Sequence, residues 1–77
     1  MKEFIEFIAK HLVDTPDNVV VEEKNTEENK IVLALKVQPD DVGKVIGKQG
    51  KTAQAMRTLL TAIAAKEGKR AILEILD

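Results

Sequence analysis

The sequence predicts an α+β domain of element order α-β-β-α-α-β, with a three-stranded mixed sheet covered on one face by helices. Three observations carry that prediction. Apolar residues recur at helical spacing near the amino terminus and again after Gly50, they alternate strictly between Ile31 and Val37, and proline and glycine separate these segments.

Residues 2 to 13 place Phe4, Ile5, Ile8 and Leu12 on one helical face, with Glu3, Glu6 and Lys10 elsewhere. Asp14, Thr15, Pro16 and Asp17 supply the turn that ends this helix. Val19, Val20 and Val21 are β-branched and open a strand expected to reach Lys24, followed by a polar hairpin loop over Asn25 to Asn29. Ile31, Leu33, Leu35 and Val37 then alternate with Val32, Ala34 and Lys36, which marks a central strand.

Pro39 suits the first position of a short helix, and Asp40 and Asp41 complement its positive end. That helix holds Val42, Val45 and Ile46 on one side and stops at Gly47. A longer helix starts after Gly50 and runs to about Lys66, expected to bury Met56, Leu59, Leu60 and Ile63, with Gly68 placed to terminate it. Ala71 to Leu76 forms the last strand. The first two strands pair antiparallel; the second and third, joined through two helices by a right-handed crossover, pair parallel.

A chain of 77 residues holds one domain with one small core, and the absence of cysteine leaves stability to apolar packing. The run MKEFIEFIAKHL carries acids inside its apolar stretch and does not resemble a secretory signal. No stretch approaches the roughly 20 apolar residues that span a bilayer. The expectation is a cytoplasmic protein without membrane insertion.

The net charge of −1 conceals an uneven distribution. Through Asp41, five lysines face ten acids; from Val42 onward, seven basic residues face three acids. Lys44, Lys48, Lys51 and Arg57 lie between Gly43 and Arg57 with no acid among them. This basic cluster surrounds IGKQGKT at 46 to 52, a glycine-bracketed stretch suited to a phosphate.

Two phosphate chemistries compete for that stretch. GKT at 50 to 52 ends like a P-loop, but the pattern G-x-x-x-x-G-K-[ST] requires glycine at Val45, and the preceding segment reads as a helix, not a strand. A helix–GxxG–helix turn instead lets a sugar–phosphate backbone lie against Gly47 and Gly50 while amide groups at the next helix start face a phosphate. Lys48 and Gln49 project outward, and aliphatic residues beside the loop would form a narrow groove for unpaired bases.

The run VIGKQGKTAQAM at 45 to 56 resembles the V-I-G-x-x-G-x-x-I signature of KH domains, and the element order is similar to the type II KH topology. Together with PDDVGKVIGKQG and EGKRAILEILD, the whole chain resembles the small bacterial single-KH RNA-binding proteins of the KhpA (YlqC) family. The resemblance implies one KH domain over 1–77, with an α-β extension at 1–29 and a β-α-α-β core at 30–77. It implies that Gly47, Lys48, Gln49 and Gly50 clamp a nucleic-acid backbone, and that Val45 and Ile46 help build a groove for about four nucleotides of single-stranded RNA. Lys44, Lys51, Thr52 and Arg57 complete the expected RNA-binding set. The signature isoleucine is replaced by Ala53, which suggests a shallower groove floor, with Met56 in the next aliphatic place.

The resemblance further implies an RNA chaperone or post-transcriptional regulator, self-association or pairing with a larger Jag-type KH protein, and a link to cell-shape control. Phe4 and Phe7 are the only aromatics, both in the first helix, so no stacking platform is expected beside the loop. His11 lacks a second ligand at metal spacing, no nucleophile–base pair is recognisable, and neither cofactor nor catalysis is expected. Thr58, Thr61, Ala62 and Ala65 give the long helix a small-residue face opposite its core stripe, read either as tolerated surface or as a dimer or partner contact. The competing functional reading is a protein-interaction adaptor with a KH fold and little RNA affinity.

Overall fold

The computed structural model describes residues 1–76, without the side chains at positions 25 and 26. Helix α1 spans Lys2–Leu12 and turns Ile5 and Ala9 into the core, with Phe4 and Ile8 half-buried beside them. A 3₁₀ turn at Pro16–Asn18 leads to β1, Val20–Glu27. This strand extends into the predicted loop, leaving Glu28 and Asn29 as the hairpin turn, and its register slips between Lys24 and Glu27. Such a slip lets a strand absorb an irregular residue and still pair, which the polar composition of the segment did not announce.

Strand β2, Lys30–Lys36, lies between β1 and β3, the latter Arg70–Leu76. β1 pairs antiparallel and β3 parallel to it, in register Leu33 with Leu73 and Leu35 with Ile75. The odd-numbered residues Ile31, Leu33, Leu35 and Val37 face the helices and join Ile5, Val21, Val45, Met56, Leu60 and Leu73 in one core. Val32 and Ala34 point to the uncovered face yet are only 6% and 2% exposed. They are shielded by longer side chains on the flanking strands: Lys24 and Glu74 reach toward each other across β2, Nζ to Oε2 3.7 Å.

After β2, a 3₁₀ turn at Pro39–Asp41 feeds α2, Val42–Ile46. A second 3₁₀ turn, Lys48–Gly50, separates α2 from α3, Lys51–Lys66. α3 buries Ala53, Met56, Leu60 and Ala64, spaced three to four apart as one stripe. Its end is closed by Gly68 at φ 70°, with Gly68 N–H donating to Ala65 O and Lys69 N–H to Ala64 O, the paired bonds of a Schellman stop. Two expected core residues behave differently: Ile63 is half-buried, and Leu59 is 47% exposed, because it sits on the flank of the stripe.

Candidate nucleic-acid interface

The path of the chain through the loop is set by three backbone conformations that ordinary residues avoid. Gly47 adopts φ 79°, ψ 173°, Gln49 φ 57°, ψ 27°, and Gly50 φ 75°, ψ 9°. Gly47 is required twice over, since its dihedral pair belongs to glycine and a Cβ there would strike Thr52. Gly50 needs only its dihedral, because the space around it is open.

Hydrogen bonding in the loop leaves two amide donors without a backbone partner. Gly47 N–H donates to Gly43 O at 2.9 Å, Gly50 N–H to Gly47 O at 3.1 Å, and Lys51 N–H to Lys48 O. The N–H groups of Lys48 and Gln49 open the turn without a backbone acceptor. α3 begins immediately afterwards with no side-chain cap and no acid in its first turn, so its positive end is not neutralised. Lys48, Gln49 and Lys51 are exposed around these donors, and Thr52 is half-buried behind them. The arrangement presents amides, ammonium groups and little side-chain bulk to an anion.

The aliphatic pair before the loop divides its work. Val45 is fully buried in the core and can only support the wall from behind, whereas Ile46 is 36% exposed and available to a ligand. Ala53 faces the core, so its small size affects packing under α3 more than a groove surface. Arg57 crosses from α3 to β3, one of the two edge strands, and its guanidinium donates to Leu73 O at 3.4 Å. Exposed Thr58 and Thr61 direct their hydroxyls to Gln54 O and Arg57 O within the helix; Ala62 and Ala65 are exposed beside them.

Lys44 is engaged differently from the expectation of a free cation. It pairs with Asp14 of the α1–β1 connection, and its Nζ lies 3.6 Å from Asp41 Oδ1. Asp41 is 2% exposed, and its other oxygen accepts the Thr15 N–H at 3.0 Å. Asp41 therefore does not serve the start of α2 as a side-chain cap; it ties the α1–β1 connection to α2, while Asp40 remains exposed. The Asp14 hydrogen bond, and then the charges of Asp14 and Asp41, hold the Lys44 ammonium above its ordinary pKa of 10.5. Sequence spacing could not reveal this node, because Asp14 stands thirty residues from Lys44. Among the described residues, no group of histidines and acids is placed to hold a metal ion, and no helix is long and apolar enough to cross a membrane.

A GxxG turn between two helices, followed by a strand parallel to the one that precedes them and preceded by an α-β extension, is the architecture of a type II KH domain. The family described as KhpA/KhpB, KH domain matches residues 2–75. The chain belongs to that family. It is 57% identical over 76 residues to the RNA-binding protein KhpA of Clostridium acetobutylicum, covering 99% of this chain and all of the relative. The proteins of the same name from Aquifex aeolicus and Chlamydia trachomatis are 52% and 43% identical over 77 residues, covering all of this chain and 96% and 97% of theirs. No solved structure gives a significant match.

Proposed function

We propose that the protein binds single-stranded RNA without catalysing a reaction, holding the RNA backbone on Gly47, Lys48, Gln49 and Gly50 and seating bases beside Ile46. The observation that carries this reading is the loop itself: two glycines at positive φ frame two amide donors without a backbone acceptor and an uncapped helix start in a member of this KH family. Relatives along the full length bear the name RNA-binding protein KhpA, which points to the same ligand. Lys51 and Thr52 complete the anion-facing turn, Arg57 guards the β3 side, and Val45 backs the wall. With few cations in reach, one copy binds weakly and with little sequence preference.

Within the cell we place this activity in the cytoplasm, as that of an RNA chaperone or post-transcriptional regulator, with cell-shape control as its physiological outlet. Weak single-site binding favours assembly, because a second linked site raises the effective concentration. Thr58, Thr61, Ala62 and Ala65 are all exposed on one side of α3, which suits close packing against a second copy or a larger Jag-type KH partner. Sedimentation at several concentrations tests the first possibility; a monomer throughout removes it.

A second reading, a protein-interaction adaptor with a KH fold and little RNA affinity, draws support from Lys44 being held by two acids and from exposed Leu59. The substitutions Lys48→Asp and Gln49→Asp together separate the two. The RNA reading expects loss of about tenfold or more in filter binding with the fold intact, since two donors at the phosphate are replaced by like charge. Unchanged RNA retention would sink it.

A further inference from the structure

We propose that Asp14 is a built-in competitor of the RNA phosphate for Lys44: it holds the ammonium in the RNA-free protein and is displaced when the backbone reaches the loop. The proposal rests on the loop reading given above. Lys44 stands on α2 one turn before Gly47, whose N–H is bonded to Gly43 O, so the cation belongs to the same rigid turn that carries the clamp. Its two partners are unequal. Asp41 is buried and fixed by the Thr15 N–H, and it lies 3.6 Å away as a lasting counter-charge. Asp14 is 79% exposed at its side chain, and the Lys44 side chain is 43% exposed. An ion pair so open to water is readily exchanged for another anion.

The charge arithmetic gives the contact its effect. Two carboxylates against one ammonium leave this node with net charge −1 beside the loop. Releasing Asp14 allows Lys44 to meet a phosphate while Asp41 keeps the stem aimed. RNA therefore binds against a resident competitor, and removing that competitor strengthens binding and its salt dependence together.

The test measures a short oligouridine by fluorescence anisotropy across a salt series, using the full chain and the variants Asp14→Asn, Lys44→Gln, both together, and Asp17→Asn. Thermal unfolding of each variant verifies its fold. Asp14→Asn is expected to raise affinity about threefold at low salt and to steepen the slope of log K against log salt by about 0.7, the contribution of one single-strand phosphate contact no longer offset by a freed carboxylate. The gain should vanish in the Lys44→Gln background, because it acts through Lys44. Asp17, an acid on the same connection outside the pair, should give no comparable gain when neutralised. The proposal is overturned by no change on Asp14→Asn, by the same gain without Lys44, or by an equal gain at Asp17. If Lys48→Asp with Gln49→Asp also leaves binding unchanged, the loop reading itself fails; if that pair abolishes binding while the Asp14 results are flat, only the competitor role falls.

Discussion

Gly47 and Thr52 share one volume: a Cβ on Gly47 would fall on the Thr52 hydroxyl, 2.6 Å from its Cβ and 2.9 Å from its backbone nitrogen. Backbone atoms cannot give way as a flexible side-chain tip can, so the clash adds to the strain of φ 79°. Gly47→Ala should lower stability by about 3 kcal/mol, combining a glycine-only conformation with overpacking. Gly50→Ala, with open space around it, should lose only about 1 kcal/mol from its left-handed dihedral. Urea denaturation of both variants measures the difference, and equal losses would show that Thr52 offers no obstacle.

Gln49 carries the loop's one non-glycine residue at positive φ, at 57°. Asparagine tolerates this region better than longer side chains, because its short polar group can bond to the nearby backbone. Gln49→Asn should therefore stabilise the protein by about 0.5 kcal/mol, and Gln49→Val, β-branched at the same dihedral, should destabilise it by about 1–2 kcal/mol. Thermal melts read both signs.

Asp41 is the sole buried charged side chain among the described residues, and it accepts the Thr15 N–H at 3.0 Å. Asp41→Ala strips that amide of its partner and removes the inner counter-charge of Lys44. The loss should be about 2 kcal/mol, within the range for an unsatisfied part-buried donor. Asp41→Asn keeps an acceptor oxygen and should lose less. Hydrogen exchange at the Thr15 amide offers a local readout, with faster exchange expected in Asp41→Ala than in Asp41→Asn.

Adjacent leucines on α3 should respond in opposite ways. Leu60 is fully buried and Leu59 is 47% exposed. Leu60→Ala should cost about 3 kcal/mol through lost burial and a cavity. Leu59→Lys should change monomer stability by less than about 0.5 kcal/mol, as surface substitutions do. Any larger change at Leu59 that grows with protein concentration would mark an interface between copies.

The fold was readable because its elements announce themselves by period. The alternation from Ile31 to Val37 gave β2 to within one residue, and Gly47, Gly50 and Gly68 punctuated the helices where positive φ is needed. The hairpin departs from the sequence expectation because pairing with β2 carries β1 through a polar stretch that local propensity reads as loop. On α3, Leu59 and Leu60 are chemically identical, and only the orientation of the helix on the sheet distinguishes them. Val32 and Ala34 read as an ordinary outer face, yet the Lys24–Glu74 reach across β2 covers them. The glycine loop was legible for the same reason as the helices, whereas the Asp14–Lys44–Asp41 node was not, because it joins segments brought together only by folding.

That node bears on the salt dependence of RNA binding. Sequence offered four cations around the loop, but Lys44 is paired with two acids and Arg57 is laid on Leu73 O. Lys48 and Lys51 are exposed and, among the described residues, in neither an ion pair nor a side-chain hydrogen bond, so they are the cations ready to release condensed counterions from an incoming strand. Each single-strand phosphate neutralised contributes about 0.7 to the slope of log K against log salt. Two contacts then predict a slope near −1.4 for one copy, because a phosphate that displaces Asp14 from Lys44 frees a carboxylate that takes up a cation in return, against about −2.8 if all four cations engaged with no such offset. Lys48→Gln and Lys51→Gln should each flatten it by about 0.7, while Arg57→Gln should leave it nearly unchanged. A measured slope near −2.8 for a monomeric species would mean that Arg57 leaves Leu73 O for a phosphate and that Lys44 binds RNA with no offset from Asp14, so that the contacts of the free protein restrain neither cation.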